Sequence, residues 1–192
     1  GMENFTPPHR TRADLPSRCR DCATGPCFPK ATPMPYALMI GDRSYSSWSL
    51  RGWLPFGAFG IPVTLHSTIL YHDGFARALE AFAPGLRSVP ALKTPQGGVL
   101  SDSIAIAWHL AETFPDHGLL PRDPTDRTMA QSLIAEMHSG FGALRAACPM
   151  NLRTAWAGFK PSDAVLADLA RIDVLWSRAL SRSGGPFLFG AY

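Results

Sequence analysis

Long apolar runs are missing from this 192-residue chain: no window reaches the roughly 20 residues that a membrane-spanning helix needs. The opening residues also lack the apolar core of a secretory signal, so neither insertion nor export is expected and a cytoplasmic setting is. Charge is sparse as well. Asp, Glu, Lys and Arg make up 17% of the chain, and the net charge of +3 is scattered rather than striped along one helix. A nucleic-acid partner is not expected from that distribution. Cysteine is scarce, with Cys19, Cys22 and Cys27 in a proline-rich opening stretch and Cys148 far from them. Cys19 and Cys22 have the separation that lets two thiolates face one zinc ion. No second close pair completes the ligand set, the nearest candidates being Cys27 and His9, so reduced thiols and no metal are the expectation. No internal repeat is present.

What remains is a chain whose hydrophobic content, 46%, suffices to bury a core in one large domain or two small ones. Residues 1–34 are rich in Pro, Arg, Thr and Cys, carry no helical or strand period, and are expected to form a disordered extension. Gly1 before Met2 looks like a cleavage scar, and Met34, directly ahead of the first strand signal, is the expected natural start.

From residue 35 to 117 the local signals alternate. Tyr36 to Ile40 is an apolar run too short for a helix, closed by Gly41 and Asp42. Ser46 or Ser47 can cap a helix whose apolar face is Leu50, Trp53, Leu54 and Phe59; Pro55 is expected to kink or end it early. Ile61 to Ser67 reads as a strand and Phe75 to Phe82 as a short helix. Ala91 to Lys93 and Val99 to Leu100 flank the turn Pro95-Gln96-Gly97-Gly98 and read as a hairpin. Ser101 or Asp102 can then cap a helix ending near Pro115. The order β-α-β-α-β-β-α is of the mixed-sheet α/β kind. Over 118–192 the strand signals cease. Two long amphipathic helices are expected, one capped by Thr125 and carrying Met129, Leu133, Met137, Phe141 and Leu144, the other capped by Ser162 and ending near Arg178 and Arg182.

Four segments carry a resemblance. Ser44-Tyr45-Ser46-Ser47-Trp48-Ser49-Leu50-Arg51 resembles the serine-type active-site turn of glutathione transferases, of a bacterial, zeta-like kind. Ser88-Val89-Pro90-Ala91-Leu92 resembles the loop whose proline is cis in thioredoxin-like folds. Ser101-Asp102-Ser103-Ile104-Ala105-Ile106 resembles the acidic-plus-serine motif that holds the γ-glutamyl end of glutathione, and Gly184 to Tyr192 resembles the loop leading into the capped core helix of the second domain. The resemblance implies an α/β thioredoxin-like domain over 35–117 and an all-α helical domain over 118–192 that stops short of that core helix. Glutathione is the implied co-substrate, with no metal, and a small electrophile the second substrate. The implied protein is a detoxification-type transferase or isomerase, expected to act as a homodimer.

The chemistry such a site needs is specific. A free thiol has a pKa of about 8.5 and is mostly protonated at neutral pH, so a donor must stabilise the thiolate. By the resemblance Ser47 is the first candidate for that hydroxyl, Ser46 the second and Tyr45 the third; both serines are also ordinary helix caps. Trp48 stands where related chains often have a small residue or Cys, and Trp48 and Arg51 fall inside the peptide-binding turn. Val89, extended before Pro90, would pair through its backbone with the cysteinyl unit. Asp102 and Ser103 would take the γ-glutamyl ammonium and carboxylate at a helix N-terminus. For the glycine carboxylate the candidates are His72, Arg77 and Arg87. Met137 and Phe141 are expected in the core, with His138 and Arg145 toward the second-substrate pocket. A thiol oxidoreductase is disfavoured by the lack of a Cys-x-x-Cys pair near the first helix. A non-catalytic glutathione-binding or ligand-carrying protein of the same fold remains the alternative.

Overall fold

The alternation along Tyr36–Ile40 (β1) sends Tyr36, Leu38 and Ile40 to one side of a sheet and Met39 to the other, and all four are buried. The computed structural model describes residues 35–190, all within one compact unit. The cysteines Cys19, Cys22 and Cys27, the extension over 1–34 and the Met34 start lie outside them. β1 is flanked in parallel by Val63–Ser67 (β2) and antiparallel by Ala91–Lys93 (β3), which pairs with Val99–Leu100 (β4), giving the order β2-β1-β3-β4. Three helices cover this sheet: Ser47–Phe59 (α1), Phe75–Phe82 (α2) and Ser103–Thr113 (α3). Phe56 of α1, Ile106 and Leu110 of α3 close over Tyr36, Leu38, Ile40 and Leu92, while Leu79 and Phe82 of α2 close over Met39 and Ala91. The sheet with α1 and α3 on one face and α2 on the other is thioredoxin-like.

Beyond a 3₁₀ turn at Pro115–His117 the described chain is mostly helical: Pro124–Ser139 (α4), Gly142–Ala147 (α5) and Asp163–Ser183 (α6). Three local differences from the sequence reading have physical causes. α1 runs through Pro55 to Phe59, because Phe56, 2% exposed, is clamped by the Tyr36 ring and by Ile61, whose N–H donates to the Phe56 carbonyl. The apolar stripe through Met137, Phe141 and Leu144 is split between α4 and α5. Gly140 leaves helical geometry, and Phe141 adopts a positive φ of 62° while keeping its ring buried. α4 starts one residue ahead of Thr125: Asp123 is its cap and Pro124 its first residue.

Asp123 also ties α4 to α6. Its Oδ1 accepts from the Thr125 and Asp126 N–H groups, both at 2.9 Å, and lies 3.3 Å from Arg182 Nη2, while Arg182 Nε donates to Asp126. The Asp126 N–H bond above all, with help from the Thr125 N–H and Arg182, holds the Asp123 carboxyl below its ordinary range. Glu136 is held low in the same sense by its two hydrogen bonds from Arg171. A carboxyl harder to protonate in the folded state contributes stability that is in place above its unfolded pKa, about 4, and is lost as pH falls through the depressed folded value. The urea midpoint is therefore expected to fall on acidification below about pH 4. Asp123→Asn, which keeps an acceptor but cannot titrate, is expected to fall less steeply over that window. A parallel fall for the two proteins would rule out Asp123 as a source of the acid sensitivity.

Candidate functional site around the start of α1

The turn from β1 into α1 is built by Asp42, Ser46 and Ser49. The Asp42 carbonyl accepts from the N–H groups of Tyr45 (3.2 Å) and Ser46 (2.9 Å), and its Oδ2 accepts from Leu70 N–H at 2.9 Å, which anchors the loop after β2 beside the turn. Ser46 is the helix cap. It is 7% exposed, its Oγ accepts from Ser49 N–H at 3.3 Å, and its hydroxyl donates to Ser49 Oγ at 2.8 Å. Ser49, 2% exposed, closes the network by accepting from Gly41 N–H at 2.9 Å. Ser47, the first helical residue, is partly exposed, and its hydroxyl has no partner among the described residues. Tyr45 is exposed, with the Arg153 guanidinium 6.0 Å from its ring.

Two close approaches bring the Val89–Pro90 segment to this turn. A Cβ built on Gly41 would meet Val89 Cγ2 at 3.3 Å, and one on Gly52 would meet the Pro90 ring at 2.7 Å. The Val89–Pro90 peptide bond is cis. A second cis bond, Gly185–Pro186, has no counterpart in the sequence reading.

A third element joins through Trp48. Its ring has the Arg51 and Arg145 guanidiniums each 4.6 Å from the centroid and the His138 ring edge-on at 5.1 Å. His138 Nε2 in turn lies 3.4 Å from Asp102 Oδ2. Asp102 caps α3, its Oδ1 accepting from Ile104 N–H at 2.7 Å and Ala105 N–H at 3.3 Å, and Ser103 behind it is buried. Arg145 is fixed by donating from Nε to the Gly140 carbonyl at 2.9 Å and from Nη2 to the Met137 carbonyl. Arg51 has no carboxylate partner among the described residues. Burial first, and then the nearby Arg145 charge, push its guanidinium below the ordinary arginine range.

Ser46, Ser47, Trp48, Arg51, Val89, Pro90, Asp102 and Ser103 thus come from three separate stretches to one neighbourhood. Arg77 and Arg87 are exposed and form no hydrogen bond or ion pair with these residues. His72 does reach the turn. It lines a cleft of about 570 Å³ with Asp42, Ser44, Tyr45, Thr68 and Arg153. Arg153 was not singled out from sequence. Its Nε donates to Ser44 Oγ at 3.3 Å, and Leu152 N–H donates to the Ser44 carbonyl at 3.0 Å, contacts spanning more than a hundred positions that no periodicity announces. Among the described residues no cluster of His, Cys, Asp and Glu could hold a metal ion, and no helix is long and apolar enough to cross a membrane.

Comparison with known proteins adds to this geometry. Residues 45–113 match the family model described as the glutathione S-transferase N-terminal domain. The chain is similar to the maleylacetoacetate isomerase of Rattus norvegicus, at 32% identity over 106 residues, which is 54% of this chain and 47% of that protein. It is also similar to a probable maleylacetoacetate isomerase of Caenorhabditis elegans, at 41% identity over 59 residues, covering 29% of this chain and 28% of that one. The chain therefore spans at most about half the length of these curated relatives. Among solved structures, it shares its fold with glutathione transferase Omega 2S from Trametes versicolor, with a TM-score of 0.58 and 21% identity, over 82% of this chain and 64% of that one.

Proposed function

We propose that this chain is a glutathione transferase of serine type and zeta-like kind, in which a domain over 35–117 binds glutathione and activates its thiol, and helices over 118–192 help to hold a small electrophile. The observation that carries this reading is the convergence of the α1 start, the Val89–Pro90 segment and the Asp102–Ser103 cap within a stretch that matches the glutathione S-transferase N-terminal model. Each part answers one chemical demand of the tripeptide. The Ser47 hydroxyl, uncommitted and at the positive end of α1, donates to the sulfur and keeps it anionic. Ser46 keeps the turn in shape by capping. The Val89 backbone pairs with the cysteinyl unit, Asp102 takes the γ-glutamyl ammonium, and Ser103, through its hydroxyl and its own backbone N–H, takes the neighbouring carboxylate. His72 and Arg153, facing the same cleft, take the glycine carboxylate.

The thiol proton having passed to solvent on ionisation, the thiolate adds to an electrophilic carbon, the C–S bond forming as the adjacent π bond opens and its electron pair moves onto the activating group. If the resulting anion takes a proton from solvent and the sulfur stays, the outcome is transfer. If it adds to a conjugated double bond and leaves after rotation about the resulting single bond, the outcome is isomerisation, which the names of the curated relatives favour. By the same reading the enzyme is a cytoplasmic homodimer. Titrating glutathione against the chain while following thiolate ultraviolet absorbance tests the core of it. The bound thiol pKa is expected about two units below the free value, equivalent to about 2.7 kcal/mol. Binding with an unshifted thiol would mark a carrier instead, and absence of binding would remove the reading altogether.

A further inference from the structure

Asp102 divides its carboxylate between two tasks. Oδ1 is committed to α3, accepting from two N–H groups, so only Oδ2 is left to meet a ligand. The neighbour of Oδ2 is His138, which arrives from α4 and places Nε2 at 3.4 Å. The imidazole is held from the side by the Trp48 ring, and its Nδ1 is buried with no partner. A proton on Nδ1 would find nothing to accept it, whereas a proton on Nε2 faces a carboxylate oxygen. The tautomer that fits these surroundings therefore presents Nε2–H to Asp102. The Asp102 and His138 side chains remain 45% and 36% exposed, so a ligand can still reach the oxygen that the imidazole addresses.

We infer that His138 is a positioning residue for the ammonium end of the bound peptide: from α4, its Nε2–H aims Asp102 Oδ2 at the γ-glutamyl ammonium. Recognition of that end then depends on the helical segment as well as on α3, and Trp48, which touches His138 and both arginines, keeps the imidazole in place. The inference rests on the glutathione reading above.

Its test uses two ligands and two variants of the whole chain. The ligands are glutathione and its desamino analogue, which lacks only the γ-glutamyl ammonium. The variants are His138→Met, close in volume and without a donor, and His138→Gln, which keeps an N–H donor. By calorimetry, His138→Met is expected to weaken glutathione binding about fivefold, in keeping with a half-exposed charge contact, and to leave affinity for the desamino analogue unchanged. His138→Gln is expected to recover most of the difference. A purely structural role would weaken both peptides alike in both variants, and that outcome overturns the inference, as does a Met variant that discriminates as the unmodified chain does. If the unmodified chain binds neither peptide, the glutathione reading fails and this inference falls with it.

Discussion

Ser47→Ala is expected to lower kcat/KM with glutathione about twenty-five-fold at pH 7, rising toward a hundredfold below about pH 6, while leaving the urea midpoint almost unchanged; Ser46→Ala is expected to do the reverse. The two hydroxyls are adjacent in sequence but differ in what they already do. Ser46 Oγ lies inside a closed network with Ser49 and, through it, Gly41, and is the side-chain cap of α1. Removing it leaves the Ser49 N–H and hydroxyl short of a partner, at a cost of about 1 kcal/mol for a lost cap. The Ser47 hydroxyl makes no hydrogen bond among the described residues, so its removal is expected to cost the fold little. Its proposed task is to favour a thiolate over a thiol by about two pKa units, and losing that lowers the thiolate fraction by about twenty-five-fold at pH 7 and toward a hundredfold below the lowered pKa. The direct readout is the bound thiol pKa, which returns toward the free value in Ser47→Ala alone. Should the shift vanish instead in Ser46→Ala, or in Tyr45→Phe, the donor is misassigned. If it survives all three substitutions, no hydroxyl at these three positions is responsible.

The elements around the sheet were legible because each is set locally. An apolar run closed by Gly41-Asp42, the turn Pro95-Gln96-Gly97-Gly98 and a cap at Asp102 each specify their own few residues. Legibility failed where burial overrides local preference. Pro55 cannot supply the bond to the Arg51 carbonyl, yet the helix continues because Phe56 is anchored in the core beneath Tyr36. The stripe of Met137, Phe141 and Leu144 has helical spacing, but Phe141 reaches the interior from a left-handed backbone that no spacing rule anticipates. The site shows the same division. Candidate residues in the turn, the cis-proline loop and the α3 cap were visible as short motifs. The contacts that gather them, His138 to Asp102, Arg145 to Trp48 and Arg153 to Ser44, join residues far apart in sequence and became visible only in the folded chain.

A rigid packing constraint on the proposed site lies at Gly52, where Gly52→Val is expected to cost about 1–3 kcal/mol and to abolish glutathione binding even in the fraction that folds. A Cβ there falls 2.7 Å from both Cβ and Cγ of Pro90, ring atoms that cannot rotate away, and a β-branched side chain drives α1 and the Val89–Pro90 segment apart. Because Val89 is proposed to present its backbone to the peptide, even a small displacement there removes an edge contact as well as core packing. Gly52→Ala should lie between, since a helix gains about 1 kcal/mol from alanine over glycine but the contact with the ring remains. Gly57, further along the same helix, provides the contrast. The nearest atoms to its added Cβ belong to the Trp53 ring, at 3.0 Å, and Trp53 is exposed and can swing aside. Gly57→Ala is therefore expected to hold or raise the urea midpoint with binding intact. Equal effects at the two glycines would mean that helix propensity, rather than the approach of α1 to Pro90, governs this part of the fold.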